Sequence, residues 1–415
     1  MVEELKCREC DRRYPAEPVA MCENCFGPLE VTYDYVEIAA KFTRETIQAR
    51  GKNMWRYREL LPGNTIPPSG VSVGFTPLIR ARNLATHWGL QELYIKNDAV
   101  NFPTLSFKDR VVSVALAKAI EFEFRVVGCA STGNLANALA AQAAACGLQT
   151  CILIPADLEA AKIIGTLVYG ANLIAVTGNY DEVNRLCTQI ADRYNWGFVN
   201  VNLRPYYAEG SKTVGYEILE QLGWKTPRHI VVPMAGGSLI TKIHKAVQEF
   251  QQLGFVESSD CRMYGAQAEG CAPIVDMVKQ ELNRLRPVKP NTIAKSLAIG
   301  NPADGIYAAR VIRQSGGAGE SATDAEIVEG IRLLARTEGI FTETAGGVVV
   351  ASAEKLIRSG KIPSNESIVL CITGNGLKTQ EAVTGVSVSA TIKPSFQDFQ
   401  NVFETATPPP YQGGG

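Results

Sequence analysis

A lysine becomes a chemical tool where its ammonium form is disfavoured, and the segment Asn101-Phe-Pro-Thr-Leu-Ser-Phe-Lys-Asp-Arg110 sets up such a place. Ser106 reads as the N-cap of a helix continuing through Val111 to Ile120, a run whose spacing and Ala, Leu and Lys content suit a helix with one buried face. Lys108 then sits in the first turn. There the partial positive charge of the helix end, burial and the neighbouring Arg110 all favour the neutral amine, the form that makes a Schiff base and abstracts protons. A lone lysine is ordinarily a solvated surface group, so this reading depends on what stands around it.

A second set of chemistry-bearing residues lies near the N-terminus. Cys7-x-x-Cys10 and Cys22-x-x-Cys25 are separated by eleven residues, and Gly27 supplies a turn after the second pair. This is zinc-ribbon spacing. Four thiolates fill a tetrahedral shell and leave no open position, so the pattern predicts a structural zinc rather than a catalytic one. The other seven cysteines (129, 146, 151, 187, 261, 271 and 371) are scattered singly through apolar segments, as reduced core thiols are. Lys6, Arg8, Arg12 and Arg13 are matched nearby by Glu3, Glu4, Glu9 and Asp11, which argues against a nucleic-acid role for the ribbon.

The elements that must position Lys108 follow from the alternation of apolar runs with helical patterns. Val126 to Ala130 leads into Ser131-Thr-Gly-Asn134 and an Ala-rich helix stopping near Gly147. Thr150 to Ile154 leads into a helix over Glu159 to Tyr169, and Asn172 to Val176 into one over Tyr180 to Tyr194. Three successive βα units mark a parallel α/β architecture. The alternation resumes with strands at Ile230 to Pro233, Met263 to Ala266 and Ser367 to Thr373, and these imply a second sheet. Between them lie a helix over Leu239 to Leu253 and another led by Thr323 with Glu326 three residues on, a capping box. Lys52 to Gly74 is Pro- and Gly-rich with little periodicity, and Pro408-Pro-Pro-Tyr-Gln-Gly-Gly-Gly415 is a tail without core-forming residues.

Three loops at strand ends carry the remaining chemistry, because ligands of open parallel sheets gather beyond the carboxyl ends of strands. Ala235-Gly-Gly-Ser-Leu239 opens a helix and offers backbone N–H groups to a phosphate monoester. A Gly pair after a strand is by itself more often a tight turn. Ser131-Thr-Gly-Asn134 offers hydroxyls and N–H groups for a carboxylate and one amide for a ring hydroxyl, and Thr373-Gly-Asn-Gly-Leu-Lys378 places a hydroxyl where it can face a pyridine nitrogen. Taken with Lys108, these loops supply what pyridoxal 5′-phosphate (PLP) requires: a Schiff-base lysine, a phosphate cup, a ring-oxygen partner and a ring-nitrogen partner.

Composition sets the class of partner. At 415 residues, 46% hydrophobic and 20% charged, the chain is long enough for two or three domains around a large core. A net charge of −1 gives no field for nucleic acid or an anionic membrane, so the expected partners are small molecules. The N-terminus has no basic n-region or apolar h-region, and no apolar run approaches bilayer length; the expected location is the cytoplasm.

The blocks NFPTLSFKDR, ASTGNLANALAA, PMAGGSLITKIHK, EGSKT, IGNPADG, FTETAGG and ITGNGLKT, in this order, resemble the threonine synthases of the cyanobacterial type. Those are fold type II PLP enzymes, alongside tryptophan synthase β, threonine dehydratase and cysteine synthase. The resemblance covers residues 5 to 385 and includes the four-cysteine segment. It departs at Leu105, where many relatives carry Gly before SFKD, and at AGGSL, where the phosphate loop is often richer in Gly and Asn.

The resemblance implies a tryptophan synthase β-like α/β fold: two open α/β domains with mainly parallel sheets and a small zinc-ribbon-like segment at 1–34. Residues 35–107 with 205–385 would form the large PLP-binding domain, 108–204 the small α/β domain, and 386–415 a partly flexible C-terminal tail. Lys108 would hold the cofactor covalently and later shuttle protons. Asn134 would bond its ring oxygen, Ala235, Gly236, Gly237, Ser238 and Leu239 would bind its phosphate, and Thr373 would face the pyridine nitrogen. Ser131, Thr132, Arg204 and Lys212 are the candidates for gripping the carboxylate and phosphate of O-phospho-L-homoserine, and Cys7, Cys10, Cys22 and Cys25 those for zinc. The implied assembly is a homodimer. Two other readings share the cofactor residues: a relative such as cysteate synthase or threonine dehydratase, and a PLP-binding regulatory protein, against which an intact Lys108 argues.

Overall fold

The computed structural model describes residues 2–131, 133–156, 160–177, 180–258, 260–385 and 388–405. Residues up to Gln380 form one compact unit and those from Glu381 on form a second. No helix among the described residues is long and apolar enough to cross a membrane.

The first unit holds three sheets. A six-stranded sheet runs in the order Gly319–Ala322, Arg262–Ala268, His229–Pro233, Ile368–Ile372, Leu93–Asn97, Leu78–Arg80, parallel throughout except for the last pair. Its central strands are buried along their whole length, as continuous apolar runs such as Ile-Val-Leu-Cys-Ile require when both faces of a parallel sheet are covered. A four-stranded, wholly parallel sheet is ordered Asn172–Val176, Gln149–Pro155, Val126–Ala130, Gly197–Phe198.

The third sheet is antiparallel and joins Val2–Cys7 to Arg13–Tyr14 and to Leu29–Tyr33. Leu29, Val31 and Tyr33 alternate inward, so one face is apolar. That face has no core of its own. Leu5, Cys7, Leu29, Val31 and Tyr33 belong to the same apolar cluster as Tyr206, Val214, Ile240 and Ile243, and Leu29–Tyr33 packs on the Arg204–Glu209 helix. The N-terminal segment is therefore built onto the body of the first unit.

The sequence reading locates the strands Val126–Ala130 and Asn172–Val176 and the helix Tyr180–Tyr194 at the observed limits. The capping box at Thr323 and Glu326 is present in both directions. One expectation needs correcting. Ser106 is not the N-cap: the helix runs Lys108–Glu121, Phe107 holds the cap position, and the buried Ser106 hydroxyl has no hydrogen-bond partner. Ser106 instead pairs its backbone with Gly374 in an antiparallel bridge, and that pairing fixes where the helix begins. In the segment from 386 onward, Phe396–Thr405 is a helix, with the Asp398 amide donating to Ser395 Oγ at 3.2 Å as a cap. The Pro-Pro-Pro-Tyr motif lies outside the described residues.

Candidate active site

Lys108 is presented by a loop tied down on both sides. Within it, Leu105 N–H donates to Asn101 O (2.8 Å) and the Asn101 amide to Ser106 O (3.0 Å). Across it, Phe107 N–H donates to Thr373 O (2.9 Å) and Asn375 N–H to Leu105 O (3.1 Å). The lysine and the Thr373 strand end are thereby set in register before any ligand is considered. Lys108 is the first residue of its helix, and its Nζ donates to Tyr207 Oη at 3.1 Å.

Burial in the cavity wall depresses the Lys108 ammonium to about 8, against an opposing pull from the Glu343 carboxylate. The side chain keeps some contact with the cavity mouth, so the depression comes from apolar enclosure and not from complete exclusion of water. Arg110 does not contribute as its sequence position suggests. It is fully buried and neutralised by Asp98 (2.7 Å) and Glu217, with Lys96 on the same Glu217 at 2.6 Å. The intervening Asp109 accepts from Thr104 N–H (3.1 Å) and Oγ1 (2.8 Å), and burial raises its carboxyl to about 6.

Around Lys108 lies a cavity of about 240 Å³ walled by both parallel sheets' loops. From the four-stranded sheet come Ala130, Ser131 and Asn134; from the six-stranded sheet come Pro233, Ala235 to Leu239 and Thr373. Ser131 Oγ accepts from the N–H groups of Gly133 (3.0 Å) and Ala136 (2.9 Å), capping the Asn134–Ala145 helix and leaving its own O–H free to donate. Gly133 has φ +128, and a Cβ there would stand 2.2 Å from Lys162 Cδ, so no other residue fits. The Asn134 amide donates to both Glu343 oxygens (3.0 and 2.9 Å) and accepts from Lys378 Nζ (3.2 Å), which fixes its plane at the cavity wall.

The Ala235–Leu239 loop has the features of an anion cradle. It ends in the 15-residue helix Ser238–Gln252, whose cap, Gly237 at φ +92, offers no capping side chain. The first N–H groups of that helix are thus left for another acceptor. A Cβ on Gly236 would meet nothing within 4 Å, so the space above the loop is open, and the buried Ser296 hydroxyl, also in the wall, has no partner. These features fit a phosphate monoester on an aromatic ring, in a cavity that Lys108 and Thr373 also line.

Among the described candidates for cofactor and substrate, all but Lys212 line the cavity. Arg204 lines the cavity and its Nη2 donates to Asp304 at 2.9 Å. Lys212 does not reach it: the side chain is fully buried between Glu209 (2.7 Å) and Glu249 (3.1 Å), with its ammonium 4.1 Å from the Tyr33 ring centroid. As the first residue of Lys212–Gln221 it faces the Ser238–Gln252 helix, and those carboxylates leave it no substrate role. Thr132 lies outside the described residues. Cys7, Cys10, Cys22 and Cys25 bring their four sulfurs within 4.8 Å of one another. Sequence reasoning missed Glu343, Tyr207, Lys378 and Asp304. The first three come to Asn134 or Lys108 from distant segments, and their only linear signal was membership of the blocks FTETAGG, ITGNGLKT and the run beside Arg204.

Comparison with known proteins agrees with this geometry. The family described as "Pyridoxal-phosphate dependent enzyme" matches residues 71–374. The threonine synthase of Methanocaldococcus jannaschii is 38% identical over 92% of this chain and 94% of its own length, and that of Methanosarcina acetivorans 38% over 94% and 95%. The threonine synthase of Synechocystis is 36% identical over 82% and 87%. Among solved structures, the chain is similar in fold to diaminopropionate ammonia lyase from Escherichia coli (TM-score 0.65, 17% identity, 83% of this chain and 92% of that one). It is also similar to threonine deaminase isoform 2 from Solanum lycopersicum (TM-score 0.63, 20% identity, 82% and 85%). With both parallel sheets walling one lysine-centred cavity and near full-length likeness to these relatives, the chain belongs to the fold type II pyridoxal-phosphate dependent enzymes and, within them, to the threonine synthases.

Proposed function

We propose that the cavity takes PLP and O-phospho-L-homoserine together, and that the chain converts this substrate and water to L-threonine and phosphate. The observation that carries the reading is the convergence of a depressed lysine, an uncapped helix N-terminus and a fixed asparagine on one cavity. When bound, the cofactor supplies an electron sink for charge developing on the substrate. Ala235, Gly236, Gly237, Ser238 and Leu239 hold its phosphate through backbone N–H groups. Asn134, held in plane by Glu343 and Lys378, meets the ring oxygen, and Thr373 meets the ring nitrogen with a neutral hydroxyl, which does not force that nitrogen to stay protonated as a carboxylate would.

Lys108 is the proton carrier. Its amine, free in part at neutral pH, takes a proton at substrate Cα and then at Cβ, phosphate departs from Cγ, and water adds at Cβ once Cγ has been protonated. Tyr207 holds the amine at 3.1 Å and limits its travel. Ser131, capping a helix with its oxygen, donates its O–H to the substrate carboxylate, and Arg204 receives the substrate phosphate as a planar fork.

Cys7, Cys10, Cys22 and Cys25 hold one structural zinc in this reading, since four sulfurs within 4.8 Å match the span of a tetrahedral shell. In this reading residues 35–107 with 205–385 form the large domain and 108–204 the small one, a division supported by the six- and four-stranded sheets drawing their strands from those ranges. The assembly is a homodimer working in the cytoplasm on small molecules, without nucleic acid; a monomer mass by light scattering would remove the dimer. Purified protein given O-phospho-L-homoserine should release phosphate and threonine in equal amounts, and Lys108→Ala should release neither. Equally fast formation of 2-oxobutyrate from threonine would replace synthase by dehydratase.

A further inference from the structure

Tyr207 reaches Lys108 from the helix Arg204–Glu209, and the fold fixes the distance between them. Just past that helix a Cβ on Gly210 would stand 2.6 Å from Arg110 O and 2.7 Å from Val111 Cα, so its end lies directly against the backbone of the Lys108–Glu121 helix. Across this contact Lys108 Nζ donates to Tyr207 Oη at 3.1 Å, the one hydrogen bond of that amine among the described residues. The phenol oxygen accepts with a lone pair, and its own hydrogen is left over. Tyr207 lines the cavity, and no acceptor among the described residues takes that hydrogen. Burial, reinforced by Cys129 and opposed by Arg204, holds the phenol well above its ordinary value, so it stays protonated wherever Lys108 works.

Departure of phosphate from Cγ asks for such a hydrogen. Above the second ionisation of a phosphate monoester, about 6, the ester is a dianion, and leaving with the bond pair would make it a trianion. The bridging oxygen therefore needs a proton as the C–O bond breaks. Lys108 carries one, taken from Cβ, but that oxygen lies two bonds beyond Cβ.

We propose that Tyr207 is a catalytic residue, the general acid that protonates the departing phosphate and is refilled by Lys108. The step balances. The Lys108 amine takes the Cβ proton, the pair left behind forms the Cβ–Cγ double bond, and the Cγ–O bond breaks with its pair on oxygen. That oxygen takes the phenol proton while the phenol oxygen takes one from the Lys108 ammonium. Hydrogen phosphate leaves, and both residues return to their starting forms. Burial, which penalises a phenolate, couples the two transfers.

This inference rests on the phosphohomoserine reading, and the experiment separates the two. Wild type and Tyr207→Phe, both loaded with PLP, are given O-phospho-L-homoserine, with phosphate release measured. They are also given L-vinylglycine, which already holds the Cβ–Cγ double bond and has no leaving group; loss of its Cα hydrogen, by exchange in D2O or by turnover, is followed by NMR. With phosphohomoserine, kcat of Tyr207→Phe should fall on the order of a hundredfold or more while KM stays within about threefold. With vinylglycine, which needs Lys108 but no departing phosphate, the variant should stay within about threefold of wild type.

Equal losses on both substrates would make Tyr207 a prop for the Lys108 amine and overturn the acid role, as would failure of Tyr207→Phe to take up PLP. Phosphate release within threefold of wild type would remove this proposal alone. Wild type that releases no phosphate from phosphohomoserine, or leaves the vinylglycine Cα hydrogen in place, removes the reading of the reaction and the role of Tyr207 with it.

Discussion

Lys108 must lose its proton before it can attack a carbonyl, and its depression to about 8 sets where that happens. An ordinary lysine, near 10.5, would be almost wholly protonated at neutral pH, whereas at pH 7 about one Lys108 in ten is free amine and at pH 8 about half. Cofactor-free protein mixed with PLP should therefore take it up faster as pH rises from 6 to 8 and level off above about 9; the growth of visible absorbance follows this directly. A rate that keeps climbing to pH 10 would mean an ordinary lysine. The placement of Lys108 at a helix start and its depressed ammonium were legible in the sequence, but the cause was only half right. Burial does the work that position suggested for Arg110, whose charge is spent on Asp98 and Glu217. Glu343 was not legible at all, because a glutamate in FTETAGG says nothing of the asparagine 209 positions away that it orients. Lys212 shows the converse. A lysine in a recognisable block reads as an anion grip, and only the carboxylates that the fold brings from Glu209 and Glu249 show it to be internally paired.

At the scale of elements, the lysine loop carries its own signature. Leu105, where many relatives have Gly, adopts φ +59, a left-handed conformation that costs an L-residue about 1–2 kcal/mol. Leu105→Gly relieves that cost but loosens the unfolded chain by about 0.5–1 kcal/mol, so thermal unfolding should shift by no more than a few degrees. Leu105→Val, β-branched at a positive φ, should lower stability by about 1 kcal/mol or more. Equal effects from both would show that side-chain packing, not backbone, decides the position. The regular elements were legible because apolar periodicity and Gly or Asn punctuation agree in them, as at Val126–Ala130. The start of the Lys108 helix was not, since a tertiary bridge from Ser106 to Gly374 outweighs a good local cap. At the N-terminus, replacing Cys7, Cys10, Cys22 and Cys25 together by serine should abolish zinc binding and lower stability, because Leu5, Val31 and Tyr33 are part of the main core. The PLP absorbance should persist, as no cysteine of the set lines the cavity; undiminished zinc in that variant would remove the site.

At the scale of the whole molecule, the proposed function requires the arrangement of charge around the cavity to decide which substrate is chosen. The chain as a whole is nearly neutral, at −1, so no long-range field gathers anions, and selection must be local. Two strand-end regions meet there: one brings Ser131 and Asn134, the other the uncapped helix at Gly237, and Arg204, paired with Asp304, lines the same cavity. In the proposed reading, a substrate carrying a phosphate dianion would offset the desolvation of Arg204 by a charge-assisted contact. A bare hydroxyl would forgo that charge-assisted contact, and polar groups that lose a partner on binding are the costly ones. O-phospho-L-homoserine should therefore exceed homoserine in kcat/KM by on the order of a thousandfold or more. Inorganic phosphate should compete with the substrate and not with the cofactor, which is already held. The preference should narrow as ionic strength rises only to the extent that Arg204 remains in contact with solvent, and its side chain is 31% exposed. Competition kinetics at two salt concentrations would read both quantities. If homoserine were used within tenfold of its phosphate ester, the cavity would not be selecting for phosphate, and the proposed phosphate role of Arg204 would fall.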